Sequence, residues 1–73
     1  MRIIRLSEVM HNTGLSRSTI YRYVADGSFP KPVPLGGRVV GWVDSEVTDW
    51  ILERIEMRED NKTVVKGIHA KAS

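Results

Sequence analysis

Thr13-Gly14-Leu15-Ser16-Arg17-Ser18-Thr19-Ile20-Tyr21-Arg22-Tyr23-Val24-Ala25 is the stretch on which the fold turns. Tyr23 and Val24 follow Ile20 by three and four residues, so the three share one side of a helix running from Arg17 to Ala25. Arg17, Ser18, Tyr21 and Arg22 fall largely outside that side. Ser16 stands at the N-cap, where its hydroxyl can accept a hydrogen bond from an amide of the first turn. Asp26-Gly27-Ser28 ends the helix. Gly14 can take the left-handed backbone that closes a preceding helix. Two helices joined in this way have helix-turn-helix spacing, and in that motif the second helix enters the major groove with its N-terminal residues against base edges. Ser16, Arg17, Ser18 and Thr19 supply the short polar side chains and the Arg which that position wants. Arg17 suits a bidentate grip on guanine, and Ser18 a base or a phosphate. Tyr21 and Arg22, one turn on, would reach the DNA backbone or neighbouring bases. A plain amphipathic helix with a solvated polar face would carry the same residues.

Upstream, Ile3-Ile4-Arg5-Leu6 reads as a short extended lead-in, because β-branched and apolar residues dominate. Ser7 is the expected N-cap of a first helix over 8–12 that buries Val9. Downstream, Pro30, Pro32 and Pro34 disfavour helix and favour extended backbone. Gly36-Gly37 predicts a tight hairpin turn between an arm at Val33 and Leu35 and an arm at Val39 to Val43. The first arm must be an edge strand, since Pro32 and Pro34 have no amide to donate. Arg38 at this wing would reach a minor groove or a phosphate, although a loop Arg is often merely exposed. Asp44 is the expected cap of a third helix with an apolar stripe at Val47, Trp50, Ile51 and Ile55, fading near Arg58. Trp50 and Trp42 are expected in the core, with Val47, Ile51 and Ile20 against Trp50. The expected organisation is one domain over 1–59 and a flexible tail over 60–73.

With 73 residues, 41% hydrophobic and 27% charged, the chain has room for one modest core and none for a deep substrate cavity. Cysteine is absent, which removes disulfides, thiolate metal sites and a Cys nucleophile. His11 and His69 have no partners at metal-ligand spacing, so no cofactor or metal is expected. Glu53, Glu56 and Glu59 recur along one helix edge and read as a solvated or partner-facing surface, not a catalytic pair. No apolar run approaches the ~20 residues of a membrane span, and the N-terminus lacks a secretory stretch, so the expected location is the cytoplasm. Charge is uneven. Residues 1–43 carry +4, residues 44–60 carry −5, and residues 61–73 carry +3. A basic front and an acidic third helix fit one surface turned toward a polyanion and another kept away from it.

Several separated motifs then occur in a familiar order. They are Leu6-Ser7-Glu8-Val9, Thr13 to Arg22, Phe29-Pro30-Lys31-Pro32, Gly41-Trp42, Glu46-Val47 and Asp49-Trp50-Ile51. Over about residues 3–58 the chain resembles the AlpA-type prophage regulators, a group similar to phage excisionases and to the DNA-binding part of MerR regulators. The resemblance implies a three-helix winged helix-turn-helix, mainly α with a small β-hairpin. It implies double-stranded DNA as partner and no enzymatic activity. Ser16, Arg17, Ser18, Thr19, Tyr21 and Arg22 on the recognition helix, together with Lys31 and Arg38, are the candidate DNA-binding residues. A transcriptional regulator is the first expectation and an excisionase the alternative. A protein-interaction module holding a basic partner on the acidic third helix is a reading of a different class. No heptad pattern supports a coiled coil, so a monomer in solution, occupying repeated DNA sites side by side, is expected.

Overall fold

The chain orders itself as β1 (Ile3–Ile4), α1 (Leu6–Thr13), α2 (Arg17–Ala25), β2 (Val33–Gly36), β3 (Val39–Val43) and α3 (Asp44–Val65). The structure, a computed structural model, describes the backbone of residues 1–65 and the side chains of residues 1–59. Three strands form one antiparallel sheet in the order β1-β3-β2. Ile4 pairs with Trp42 and Ile3 with Val43 on one side of β3. Val33 pairs with Gly41 and Pro34 with Val40 on the other. The proline-bearing β2 is therefore an edge, as its missing amides require.

Strand alternation sends Ile4 and Trp42 to the same face, where both are fully buried. They meet Val9 of α1, Ile20 of α2, Val47 of α3 and Phe29 of the link between α2 and β2. These six residues are the core, and each helix contributes one of its apolar positions to it. Trp42 is the largest of them. Its indole N–H donates to the Pro30 carbonyl at 3.0 Å, which satisfies the only polar atom that the ring buries. Trp50 is half-buried at the edge of the core. It donates to the Ser28 carbonyl at 2.6 Å and meets Phe29 edge-on, with ring centroids 4.9 Å apart. The Arg54 guanidinium lies over its outer face, 4.8 Å from the centroid. The core centres on Trp42, and Trp50 packs against it from the rim, in ring contact with Phe29 and Tyr23.

Four local expectations need correction. Helix α1 starts at Leu6, not after Ser7: Arg5 is its N-cap, without a side-chain cap bond, and the Arg5 carbonyl accepts from the amides of Glu8 and Val9. The chain enters the helix directly from β1, so strand pairing fixes the start and leaves Ser7 inside the first turn. Asp44 is the first residue of α3, and its carboxylate takes a bond from Arg2 at 3.4 Å. In the hairpin, Gly36 still pairs with Val39, so the two turn residues are Gly37-Arg38, with a bulge at Leu35. Gly37 has φ 56°, a backbone that a side chain would strain. Finally, α3 continues through Val65, past the expected end near Arg58. No Gly or Pro interrupts the sequence between Asp44 and Val65. The tail expected over 60–73 is helical backbone as far as Val65, and its remainder lies outside the described residues.

Candidate nucleic-acid interface

Helix α2 begins as the sequence predicts. The Ser16 hydroxyl accepts from the Thr19 amide at 3.2 Å and donates to the Thr19 hydroxyl at 2.9 Å. Ahead of it, Gly14 sits in the left-handed region at φ 74° and its amide closes α1 on the Met10 carbonyl. Thr13 adds a clamp that sequence reasoning missed: its hydroxyl donates to the Val9 carbonyl at 2.8 Å and accepts from the Leu15 amide at 3.2 Å. The three-residue turn Gly14-Leu15-Ser16 is thereby held at both ends, which fixes how α2 leaves α1. A Thr before a helix-closing Gly bonds back to the helix by a local rule, but nothing in the sequence distinguishes this Thr from a solvent-facing one.

One side of α2 is buried through Ile20, with Tyr23 and Val24 partly covered. The opposite side presents Arg17, Ser18, Tyr21, Arg22 and Ala25, all exposed. Their spacing makes one stripe along the helix. The stripe carries two guanidinium groups and no carboxylate. The Tyr21 ring is not free to swing. It meets Trp42 edge-on at 6.1 Å, which ties the exposed stripe of α2 to the central strand of the sheet. Arg22 lies over the Tyr23 ring at 5.6 Å. Ser16 and Thr19 are the two predicted site residues whose hydroxyls already bond each other, so their first role is to shape the start of α2.

Arg38 occupies the tip of the hairpin as the second turn residue and is exposed. Lys31 stands elsewhere. It lines a shallow groove of about 570 Å³ between the link after α2 and the first turns of α3, together with Glu46, Asp49 and Glu53. The structure therefore gathers Arg17, Ser18, Tyr21 and Arg22 on one stripe, keeps Arg38 on the hairpin and sets Lys31 beside carboxylates. Arg2, one of the cations of the basic front, is also paired. It meets Glu8 at 3.0 Å and Asp44 at 3.4 Å, and the hydrogen bond to Glu8 leads in holding its guanidinium above the ordinary pKa. Among the described residues, no ion pair engages Arg17, Arg22 or Arg38. No group of three His, Cys, Asp or Glu side chains there could hold a metal ion. No helix there is long and apolar enough to cross a membrane.

Residues 2–55 match the family model described as the prophage CP4-57 regulatory protein, AlpA. The chain belongs to the AlpA family. The uncharacterized protein ORF88 of Enterobacteria phage P4 is 53% identical over 58 residues, which cover 80% of this chain and 66% of that protein. The DNA-binding transcriptional activator AlpA of Escherichia coli K12 is 36% identical over 63 residues, covering 78% of this chain and 90% of AlpA. The chain thus spans about two thirds of the phage relative's length and nearly all of the bacterial one's. The matched span takes in β1, the helix pair, the sheet and α3 as far as Ile55, so every element that positions the α2 stripe lies within the family's shared region. Three helices and a small antiparallel sheet are also the winged helix-turn-helix which the resemblance implied.

Proposed function

We propose that this AlpA-family chain is a sequence-specific double-stranded DNA-binding regulator of transcription, with α2 in the major groove and the β2–β3 hairpin on the backbone or in the minor groove. The observation that carries this reading is the α2 stripe: Arg17, Ser18, Tyr21 and Arg22 are exposed together, with no acid among them, on a helix whose first turn is capped and whose ring at Tyr21 is braced. A helix presented in this way fits the major groove, whose edges distinguish all four base pairs. Arg17 and Ser18 are assigned to base edges, because they lie at the N-terminal end. Arg22 and Arg38 are assigned to phosphates. Ser16 and Thr19 act first by capping and can still offer oxygen atoms to the backbone of DNA. Lys31 is assigned to a flanking phosphate at most, since Glu46, Asp49 and Glu53 share its groove. Function needs no cofactor in this scheme, and neighbouring copies would occupy repeated sites. The E. coli relative's description as a DNA-binding transcriptional activator supports the same reading.

The test is selection of bound duplexes from a random library, followed by salt titration on the winner. A few phosphate contacts predict log affinity falling with log salt at a slope of about −2 to −4. Failure to enrich any sequence would remove the proposal of specific binding, and a flat salt response would remove the assigned phosphate contacts.

A further inference from the structure

The sheet has a second apolar face that no element among the described residues covers. Pairing places Ile3 beside Val43, and Val33 beside Gly41, on the side of the sheet opposite to Ile4 and Trp42. Since Tyr21 and Ile20 pack toward the Trp42 side, this outer face points away from α2. Its side chains are Ile3, Val33, Leu35, Val39 and Val43, without a polar residue among them. Ile3, Leu35 and Val39 are 37%, 46% and 41% exposed. Gly41 makes the patch continuous: a Cβ there would run into the Ile3 Cγ2 methyl and lie 3.2 Å from Leu35 Cδ1, so the missing side chain lets the two close over the middle strand. An antiparallel sheet with one free face ordinarily turns polar residues outward, and a contiguous apolar patch marks an interaction surface.

We infer that this outer face is where two copies of the chain associate, packed face to face with their strips antiparallel, in place of the solution monomer that the missing heptad pattern led one to expect. Charge selects both the partner and the direction. The strip ends at one side on Arg38 at the hairpin tip. At the other side Val33 and Val43 run into the groove where the carboxylates Glu46, Asp49 and Glu53 outnumber the one ammonium, Lys31. None of these charges is in an ion pair among the described residues. A two-fold axis across the strip sets each Arg38 against the other copy's carboxylates, whereas an axis along it opposes like charges. The contact is isologous and closes at two copies. The exposed apolar residues of α3 are a poorer surface: Leu52 and Ile55 share a side, but Glu56 and Glu59 fall on that same side, and Met57 points elsewhere. Since Arg38 is also assigned to DNA, self-association of the free protein and hairpin contact with DNA are alternatives for that side chain.

The experiment uses the whole chain without DNA, so its outcome is separate from that of the DNA-binding proposal. Sedimentation velocity over about 1 µM to 1 mM, the range open to a small interface, should show a monomer–dimer equilibrium. The double substitution Leu35→Ser with Val39→Ser should weaken it by at least about tenfold while circular dichroism keeps the parent spectrum. Arg38→Glu should weaken it as well, and adding Glu46→Arg and Asp49→Arg should restore it to within about threefold of the parent. On the unchanged protein, amide shifts on dilution should map to β1, β2, β3 and the first turns of α3, with α2 silent. A monomer across the whole range overturns the proposal. So does a dimer whose shifts map to α2 or to the second half of α3, and so does one indifferent to the folded double variant.

Discussion

Arg17→Ala tests the DNA-facing assignment most directly. Arg17 is the first residue of α2, is exposed, and forms no ion pair among the described residues, while the cap beneath it is made by Ser16 and Thr19. Its removal therefore touches neither the core nor the cap, and stability should stay within about 0.5 kcal/mol of the parent. If Arg17 holds a guanine through two parallel hydrogen bonds, the loss on the preferred duplex should be about 1–3 kcal/mol, which is roughly 5- to 150-fold in affinity. The assay is a fluorescence anisotropy titration on the selected duplex and on the three variants that change one base pair. Preference should flatten at that position, and weak binding to unrelated duplexes at low salt should persist through Arg22 and Arg38. Unchanged affinity with unchanged preference would refute the placing of this end of α2 against base edges. The acidic third helix would then become the better place to look for a partner.

Arg38→Ala should weaken binding to every duplex by a similar factor and leave base preference in place, whereas a change in preference would point to readout of minor-groove shape. In denaturant unfolding, Trp42→Ala should cost about 3–5 kcal/mol and Trp50→Ala, half-buried at the rim, clearly less; the reverse order would contradict the position of the core. Ser16→Ala should cost about 1 kcal/mol of stability through the lost cap, measured by the same unfolding. Asp26 accepts from the Ser28 hydroxyl at 2.6 Å and the Ser28 amide at 3.0 Å, and these bonds hold its carboxyl below the usual aspartate range. A depressed folded-state pKa contributes stability that is present above the ordinary aspartate value and lost as pH falls through the lowered one. A carboxyl titration by NMR should find Asp26 low, and Ser28→Ala should bring it part of the way back.

Helix α2 was legible because its signals are local. A cap at Ser16, an apolar spacing at Ile20, Tyr23 and Val24, and a stop at Asp26-Gly27 all lie within a dozen residues, and they agree with one another. The start of α1 was not legible, because it depends on β1 pairing with β3 some forty residues later. Which Trp would be buried was equally hidden. Both sit among apolar neighbours in sequence, and only the sheet decides that Trp42 faces the helices while Trp50 lies at the rim. The outer face escaped for a related reason. Val39-Val40-Gly41-Trp42-Val43 is apolar at every step, so the alternation that would separate inside from outside is missing. Charge misled in one respect: Arg2 belongs to the basic front in sequence, yet it ties β1 to α1 and α3 in space.

The same distinction explains the hydroxyls at the head of α2. Short polar residues at the start of a recognition helix suit both capping and DNA contact, and sequence cannot separate the two uses. The structure separates them by geometry. Ser16 and Thr19 face each other across the first turn and bond together, and the Ser18 hydroxyl stands at the limit of that pair, 3.5 Å from Ser16. A hydroxyl held by a cap is oriented by the protein, while one at the margin is free to reorient toward a ligand. Ser18 is accordingly the one hydroxyl of the three that the proposed DNA contact would reorient at little cost, and Arg17 beside it is the one cation of that turn. The cap fixes the backbone on which both stand, so under the proposed readout the Ser16–Thr19 pair would hold still the two residues assigned to base edges.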